Sequence, residues 1–202
     1  MVSASDLMFI KQLTRPEKEV RLRQRAGVIW LFGLSGAGKT TLGDALEHHL
    51  VEAGLTTMRL DGDQLRRGLN QGLGFSDTDR AEALRRAAET AKLSVAAGFV
   101  TICSFITPQR AHRELVRKII GPADLIDVYI EASYAVCAGR DGKGLYKQAA
   151  LGELQQFTGK DSIFEPPLSR TGCFIINTER EAVDVSAARL RDLVLPILRQ
   201  LT

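Results

Sequence analysis

The sequence predicts a three-layer α/β/α domain, with helices on both faces of a parallel sheet. Three observations carry this. Short apolar runs alternate along the chain with longer amphipathic stretches. The first run, Val28-Ile29-Trp30-Leu31-Phe32, is apolar at every position, as a strand buried on both faces must be. A glycine-rich turn, Gly33–Thr40, follows it at once and opens a helical pattern. At 202 residues, 45% hydrophobic and 25% charged, the chain has enough apolar content for one such core.

Each element has its own signal. Residues 1–26 are polar and basic around a thin apolar pattern (Leu7, Ile10, Leu13), with Pro16 limiting any helix, and read as an N-terminal arm. After the Val28–Phe32 strand and the turn, Leu42, Ala45, Leu46 and Leu50 recur at helical spacing up to Gly54. Thr57–Leu60 is the second strand and runs into Asp61-Gly62-Asp63. Asp77 opens a long helix whose core face is Leu84, Ala88, Ala91 and Val95. Phe99–Ser104 is the third strand, and Pro108 can start a helix running to about Ile120. Leu125–Ile130 is the fourth strand. Residues 139–168 are rich in Gly, Lys and Gln without a clean period. Cys173–Asn177 is the fifth strand and Ala182–Leu201 the closing helix. The domain proper therefore spans 27–202.

Composition excludes several classes of function. A net charge of +3 suits an anionic ligand, and without an interleaved basic and aromatic array it argues against nucleic acid. No apolar run approaches the ~20 residues of a membrane span. Met1–Asp6 lacks a basic start and Lys11 interrupts any apolar core, so no secretory leader is expected. Cys103, Cys137 and Cys173 form no CxxC pair, which points to a reducing cytoplasm with neither a disulfide framework nor a zinc site.

The chemistry concentrates after the first two strands. Gly33-Leu34-Ser35-Gly36-Ala37-Gly38-Lys39-Thr40 fits GxxxxGK[ST], the phosphate loop. Its glycines let successive N–H groups point at phosphate oxygens, and the following helix adds its positive end. Lys39 is placed to bridge the β- and γ-phosphates of ATP, and the Thr40 hydroxyl to ligate Mg²⁺. The carboxylates of Asp61 and Asp63, one strand later, can hold Mg²⁺ through water or accept a proton from an attacking hydroxyl.

Five blocks extend this picture: GLSGAGKTT at 33–41, LDGDQLRRGLN at 60–70, LGFSDTDR at 73–80, RDGKGLYKQA at 140–149 and FTGKDSIFEPP at 157–167. Together they resemble the adenylylsulfate kinase (APS kinase) family, from about residue 20 to the C-terminus. The resemblance implies a P-loop kinase that moves the γ-phosphate of ATP to the ribose 3′-hydroxyl of adenylylsulfate, giving 3′-phosphoadenylylsulfate in sulfate assimilation. It implies an ATP loop at Gly33–Thr41, with Lys39, Asp61, Asp63 and Lys143 as catalytic groups and Thr40 and Asp63 at the metal. It implies a mobile lid at about 139–160, with Arg140 near the ATP base and Lys143 near the transferring phosphate. On the acceptor side it implies Asp63, Arg66, Asn70, Arg80, Ile106, Thr107, Lys143 and Leu145, with Phe75 and Phe157 flanking the adenine. Family members are often homodimers, so a homodimer is expected, and an ATP sulfurylase is the candidate partner.

Departures from the family pattern gather on the acceptor side. A substrate-binding Asn of the family is Ala83 here, one turn after Arg80. A Tyr and an Asp of the family are Gln109 and His112, and Thr107 stands for a serine that some members are described as phosphorylating. Lys160 falls beside the expected acceptor pocket, and Phe164 lacks a Tyr hydroxyl. The lid's usual basic ending is Ala149-Ala150. Two acceptors are compatible with these changes. One is adenylylsulfate, favoured by the retained LRRGLN, GFS, DR and KGLY segments. The other is a different nucleotide-type anion, such as a cytidine nucleotide phosphoramidate of surface-polysaccharide modification. A regulatory protein that binds ATP without turnover fits less well, because Lys39, Thr40, Asp63 and Lys143 are all retained.

Overall fold

A computed structural model describes residues 11–153, 156–168 and 172–200. Five strands form one all-parallel sheet in the order β2-β3-β1-β4-β5. They are β1 (Gly27–Phe32), β2 (Thr57–Asp61), β3 (Val100–Phe105), β4 (Leu125–Glu131) and β5 (Phe174–Asn177). β1 is central and buried throughout, as its unbroken apolar run requires. Its side chains alternate between two cores. Ile29 and Leu31 join Leu42, Leu46, Leu50, Leu190 and Val194 on one face. Val28, Trp30 and Phe32 join Leu84, Ala88, Ala91, Val95, Val116 and Ile120 on the other. The helices behind these faces are α2 (Lys39–Glu52) and α8 (Val183–Leu198), opposite α4 (Asp77–Ala96) and α5 (Arg110–Ile120). That is the three-layer α/β/α arrangement expected of the sequence.

The remaining helices are α1 (Arg15–Leu22), α3 (Gly62–Leu65), α6 (Tyr134–Arg140) and α7 (Leu145–Ala150). The last three are too short to display a helical period, so the pattern did not reveal them. Residues 1–10 of the expected arm lie outside the described residues. From Arg15 to Leu22 the segment is helical, and it is docked on the domain. Pro16 lies in the first turn of α1, where a missing N–H costs nothing, rather than limiting the helix. Arg15 pairs with Asp124 at 2.7 Å. Gln24 is fully buried and spans two loops, donating from Nε2 to the carbonyls of Thr56 and Gly98 and accepting from the Thr56 N–H. α5 begins at Arg110 rather than Pro108, because the Glu165 carboxylate accepts from the Arg110 N–H at 2.6 Å and caps the helix there.

β1 and its neighbours end together, and the chain winds from β1 to both sides of the sheet. The segments after β1, β2, β3 and β5 consequently meet at one carboxyl edge, the position where such sheets bind ligands.

Candidate active site

The loop between β1 and α2 has the conformation its glycines allow. Gly33 has φ +152°, and a Cβ there would lie 2.4 Å from the Ile130 carbonyl oxygen, so no other residue fits. Gly38 takes a left-handed conformation and starts α2. Lys39 is buried, and its Nζ donates to the carbonyls of Gly33 (3.0 Å) and Leu34 (2.6 Å). Burial, with the Lys143 charge a lesser cause, pushes the Lys39 amine down to about 8.

Asp61 closes β2 and is buried beside this loop. Its Oδ2 accepts from Thr40 Oγ1 at 2.9 Å, and its Oδ1 accepts from the Asp63 N–H at 2.9 Å, capping α3. Asp63 stays largely exposed and forms an ion pair with Lys143, which lies just before α7.

Arg66 and Arg80 approach a common ring. The Arg66 guanidinium lies 4.0 Å from the Phe75 ring centroid and that of Arg80 lies 5.6 Å away. Arg66 donates to the carbonyls of Leu73 and Gly74, and Arg80 to those of Phe75 and Gln156. Burial lowers both guanidiniums below their ordinary value, and Arg66 adds to the effect on Arg80. Both remain cations at neutral pH. Phe157 is buried and packs edge-on to Tyr146 at 4.8 Å.

One cavity of about 690 Å³ joins these groups. Its wall at the loop end includes Ser35, Gly36, Gly38, Lys39, Thr40 and Thr41. Midway it meets Asp61, Asp63, Lys143 and Leu145. At the far end it meets Arg66, Asn70, Phe75, Arg80, Ile106, Thr107 and Phe157. Arg140 also faces it and donates to the Gly36 carbonyl and to Thr178. Of the expected site residues, Gly33, Leu34 and Ala37 do not line the wall, and serve the loop's backbone instead.

The acceptor-side changes separate once the chain is folded. Ala83 does face the cavity. Its neighbour Asn70 is buried, reaches the Ala83 carbonyl only at 3.5 Å from Nδ2, and leaves Oδ1 unpaired. Lys160 does not line the cavity: its Nζ donates to the Ala149 carbonyl at the end of α7 rather than reaching the expected acceptor pocket. Gln109 and His112 are also absent from the wall; His112 is buried on α5, and burial lowers its basicity. Arg85 and Arg86 pair with Glu82 on the helix surface and do not line the cavity.

The sequence reading missed two participants. Tyr146 Oη donates to the Ser35 carbonyl at 2.7 Å, tying α7 to the phosphate loop. Thr178 Oγ1 donates to the Ala37 carbonyl at 2.8 Å and fixes the loop from β5. Thr178 was findable, since it follows the carboxyl end of a parallel strand.

No group of three or more His, Cys, Asp or Glu side chains gathers as a metal cage among the described residues. The oxygen set of Thr40 and Asp61, with Asp63 nearby, still suits Mg²⁺, which keeps several waters and takes few protein ligands.

Comparison with known proteins agrees with this geometry. The family model described as adenylylsulphate kinase matches residues 25–171. A protein from one Bacteroides fragilis strain named adenylyl-sulfate kinase is 43% identical over 189 residues, 94% of this chain and 93% of that one. One from Citrobacter koseri with the same name is 48% identical over 157 residues, 78% of each chain. The Mycobacterium tuberculosis APS kinase, solved in complex with AMPPNP and APS, aligns with a TM-score of 0.80 at 38% identity, covering 85% of this chain and 98% of that one. With a phosphate loop, paired aspartates and an arginine–aromatic wall in one cavity, the chain belongs to the adenylylsulfate kinase family.

Proposed function

We propose that this chain uses ATP to phosphorylate the ribose 3′-hydroxyl of adenylylsulfate, giving 3′-phosphoadenylylsulfate for sulfate assimilation. The observation that carries this is the single cavity with a phosphate loop at one end and the Arg66–Phe75–Arg80 wall at the other. A two-substrate transfer needs both nucleotides in one water-poor space with the acceptor hydroxyl in line.

Loop N–H groups and Lys39 hold the triphosphate, and Arg140 with the wall after β5 borders its base. Arg66 and Arg80 hold the anionic end of the acceptor, and Phe75 and Phe157 flank its base. Asp63 accepts the proton of the attacking 3′-hydroxyl. Lys143 leaves its pairing with Asp63 to meet charge on the transferring phosphoryl group. Thr40, Asp61 and Asp63 would hold Mg²⁺, which when bound neutralises charge on the β- and γ-phosphates. A homodimer and association with an ATP sulfurylase belong to the same reading and rest on the family resemblance, and a cytoplasmic location rests on the cysteine usage. No helix among the described residues is long and apolar enough to cross a membrane.

Ala83 favours one second reading, because the wall offers no side-chain amide there. The acceptor would then be another nucleotide-type anion. ADP release from ATP and Mg²⁺ tests both: adenylylsulfate is compared with a panel of nucleoside phosphates and phosphoramidates. Saturable turnover on adenylylsulfate is expected. Turnover confined to another acceptor would replace the first reading with the second.

A further inference from the structure

Arg59 joins the ATP end of the site to the sheet edge without lining the cavity. It sits on β2, two residues before Asp61. Its side chain is only 11% exposed. Nη1 donates to the Ile102 carbonyl (3.0 Å) and to Ser104 Oγ (3.1 Å) on β3. Nη2 donates to Asp44 Oδ1 on α2 at 2.9 Å. Ser104 Oγ in turn donates to the Lys39 carbonyl, in the first turn of the same helix, at 3.3 Å.

Gly43 makes this possible. It lies inside α2, where glycine is a weak helix former. A Cβ at that position would come within 2.6 Å of Arg59 Nη2, 2.8 Å of Cζ and 2.9 Å of Nη1. The guanidinium therefore occupies the space a side chain at 43 would take.

The topology gives the arrangement its purpose. β2 is an edge strand separated from β1 by β3. The loop and α2 follow β1, whereas Asp61 arrives on β2. No strand pairing links β1 to β2, so the Thr40–Asp61 contact depends on how α2 is seated over β2 and β3. Arg59 fastens α2 at two levels, through Ser104 to Lys39 and directly to Asp44.

We propose that Arg59 is a positioning residue for the nucleotide end of the site: with Gly43, Asp44 and Ser104 it sets Lys39 and Thr40 against Asp61. This rests on the phosphate loop being the ATP site and is independent of the acceptor's identity.

The test measures ATP binding by calorimetry without any acceptor, beside melting temperature and steady-state kinetics. Arg59→Met removes the fork and keeps the stem. Gly43→Ala keeps the fork and evicts it. Both variants are expected to weaken ATP binding about tenfold, the size of a coupled contact network, with the KM for the acceptor unchanged. Adding Gly43→Ala to Arg59→Met is expected to cost less than about twofold more, because the displaced group is already gone. ATP affinity within about twofold of wild type in folded Arg59→Met, or losses that multiply in the double variant, would overturn the proposal. Should Arg59→Met not fold, Arg59→Lys and Gly43→Ala decide. The lysine reaches one partner instead of three, so wild-type ATP affinity in both would overturn the proposal, and weakened affinity in both would support it. Turnover on the acceptor panel reports separately on the functional reading.

Discussion

The Trp30 indole N–H donates to Thr107 Oγ1 at 2.9 Å, and both side chains are buried. Trp30 belongs to the central strand, while Thr107 lines the cavity at the end of the Arg66–Phe75–Arg80 wall. Thr107 also holds a left-handed backbone at φ +42°, uncommon for a β-branched residue, and Arg113 donates to its carbonyl at 3.1 Å. Core and acceptor loop are thus bound together at one strained position.

Thr107→Val tests what the hydroxyl does. Valine keeps the shape and the β-branching but leaves the indole N–H unpaired. A stability loss of about 1–3 kcal/mol is expected by denaturant unfolding. Direct in-line transfer needs no phosphorylated enzyme, so kcat is expected to stay within about threefold. Loss of turnover in a folded variant would instead put the hydroxyl in the transfer.

Lys39→Ala is expected to lower kcat by at least 10²–10³-fold, the usual effect of removing a charge from a developing phosphoryl group. Near-normal kinetics would sink the phosphate-loop assignment. The amine also predicts a pH effect. With a value of about 8 the amine is half deprotonated at pH 8. Bound triphosphate favours the ammonium and raises that value. About one unit or more below it the group is charged with or without ATP, and affinity is insensitive to it. Through pH 8 and above, ATP must increasingly bring a proton with it, so affinity falls with rising pH. Calorimetry at pH 9 in buffers of different ionisation enthalpy should register proton uptake.

Asp63 and Lys143 are 60% and 57% exposed, and their pairing contributes little to stability. Asp63→Asn and Lys143→Met are therefore expected to melt like the wild type while losing activity. About 10²–10⁴-fold in kcat is expected for the lost proton acceptor. Retained kcat in Asp63→Asn would move proton acceptance elsewhere.

Ala83→Asn should restore an amide to the cavity wall beside the unpaired Oδ1 of Asn70. One neutral hydrogen bond of about 0.5–1.5 kcal/mol corresponds to a KM for adenylylsulfate about two- to tenfold lower. An unchanged KM would show that the acceptor sits without using this position.

Several contributions to the site were readable from the chain alone because their physics is local. β1 is apolar at every position because both its faces are covered, and its periodicity says so directly. Gly33 and Lys39 are legible because a loop that wraps phosphate requires those residue types at that spacing. Phe75 and Phe157 were legible only through their motifs, since an isolated aromatic reads as core.

Other features needed the third dimension. Lys160 reads as an acceptor-side cation until folding turns it onto the Ala149 carbonyl. The segment before β1 reads as an arm, yet Arg15 and Gln24 tie it to loops about a hundred and about thirty to seventy residues away. Arg59 and Gly43 are unremarkable where they stand in the chain, and Tyr146 carries no spacing rule for its contact with the phosphate loop. The strands, the long helices, the phosphate loop and the paired aspartates were determined by the sequence itself, because backbone propensity, hydrophobic period and motif spacing act between near neighbours. The tertiary structure alone decided which distant polar groups complete the site, because a buried donor takes whichever acceptor the packing of separate elements brings within about 3 Å.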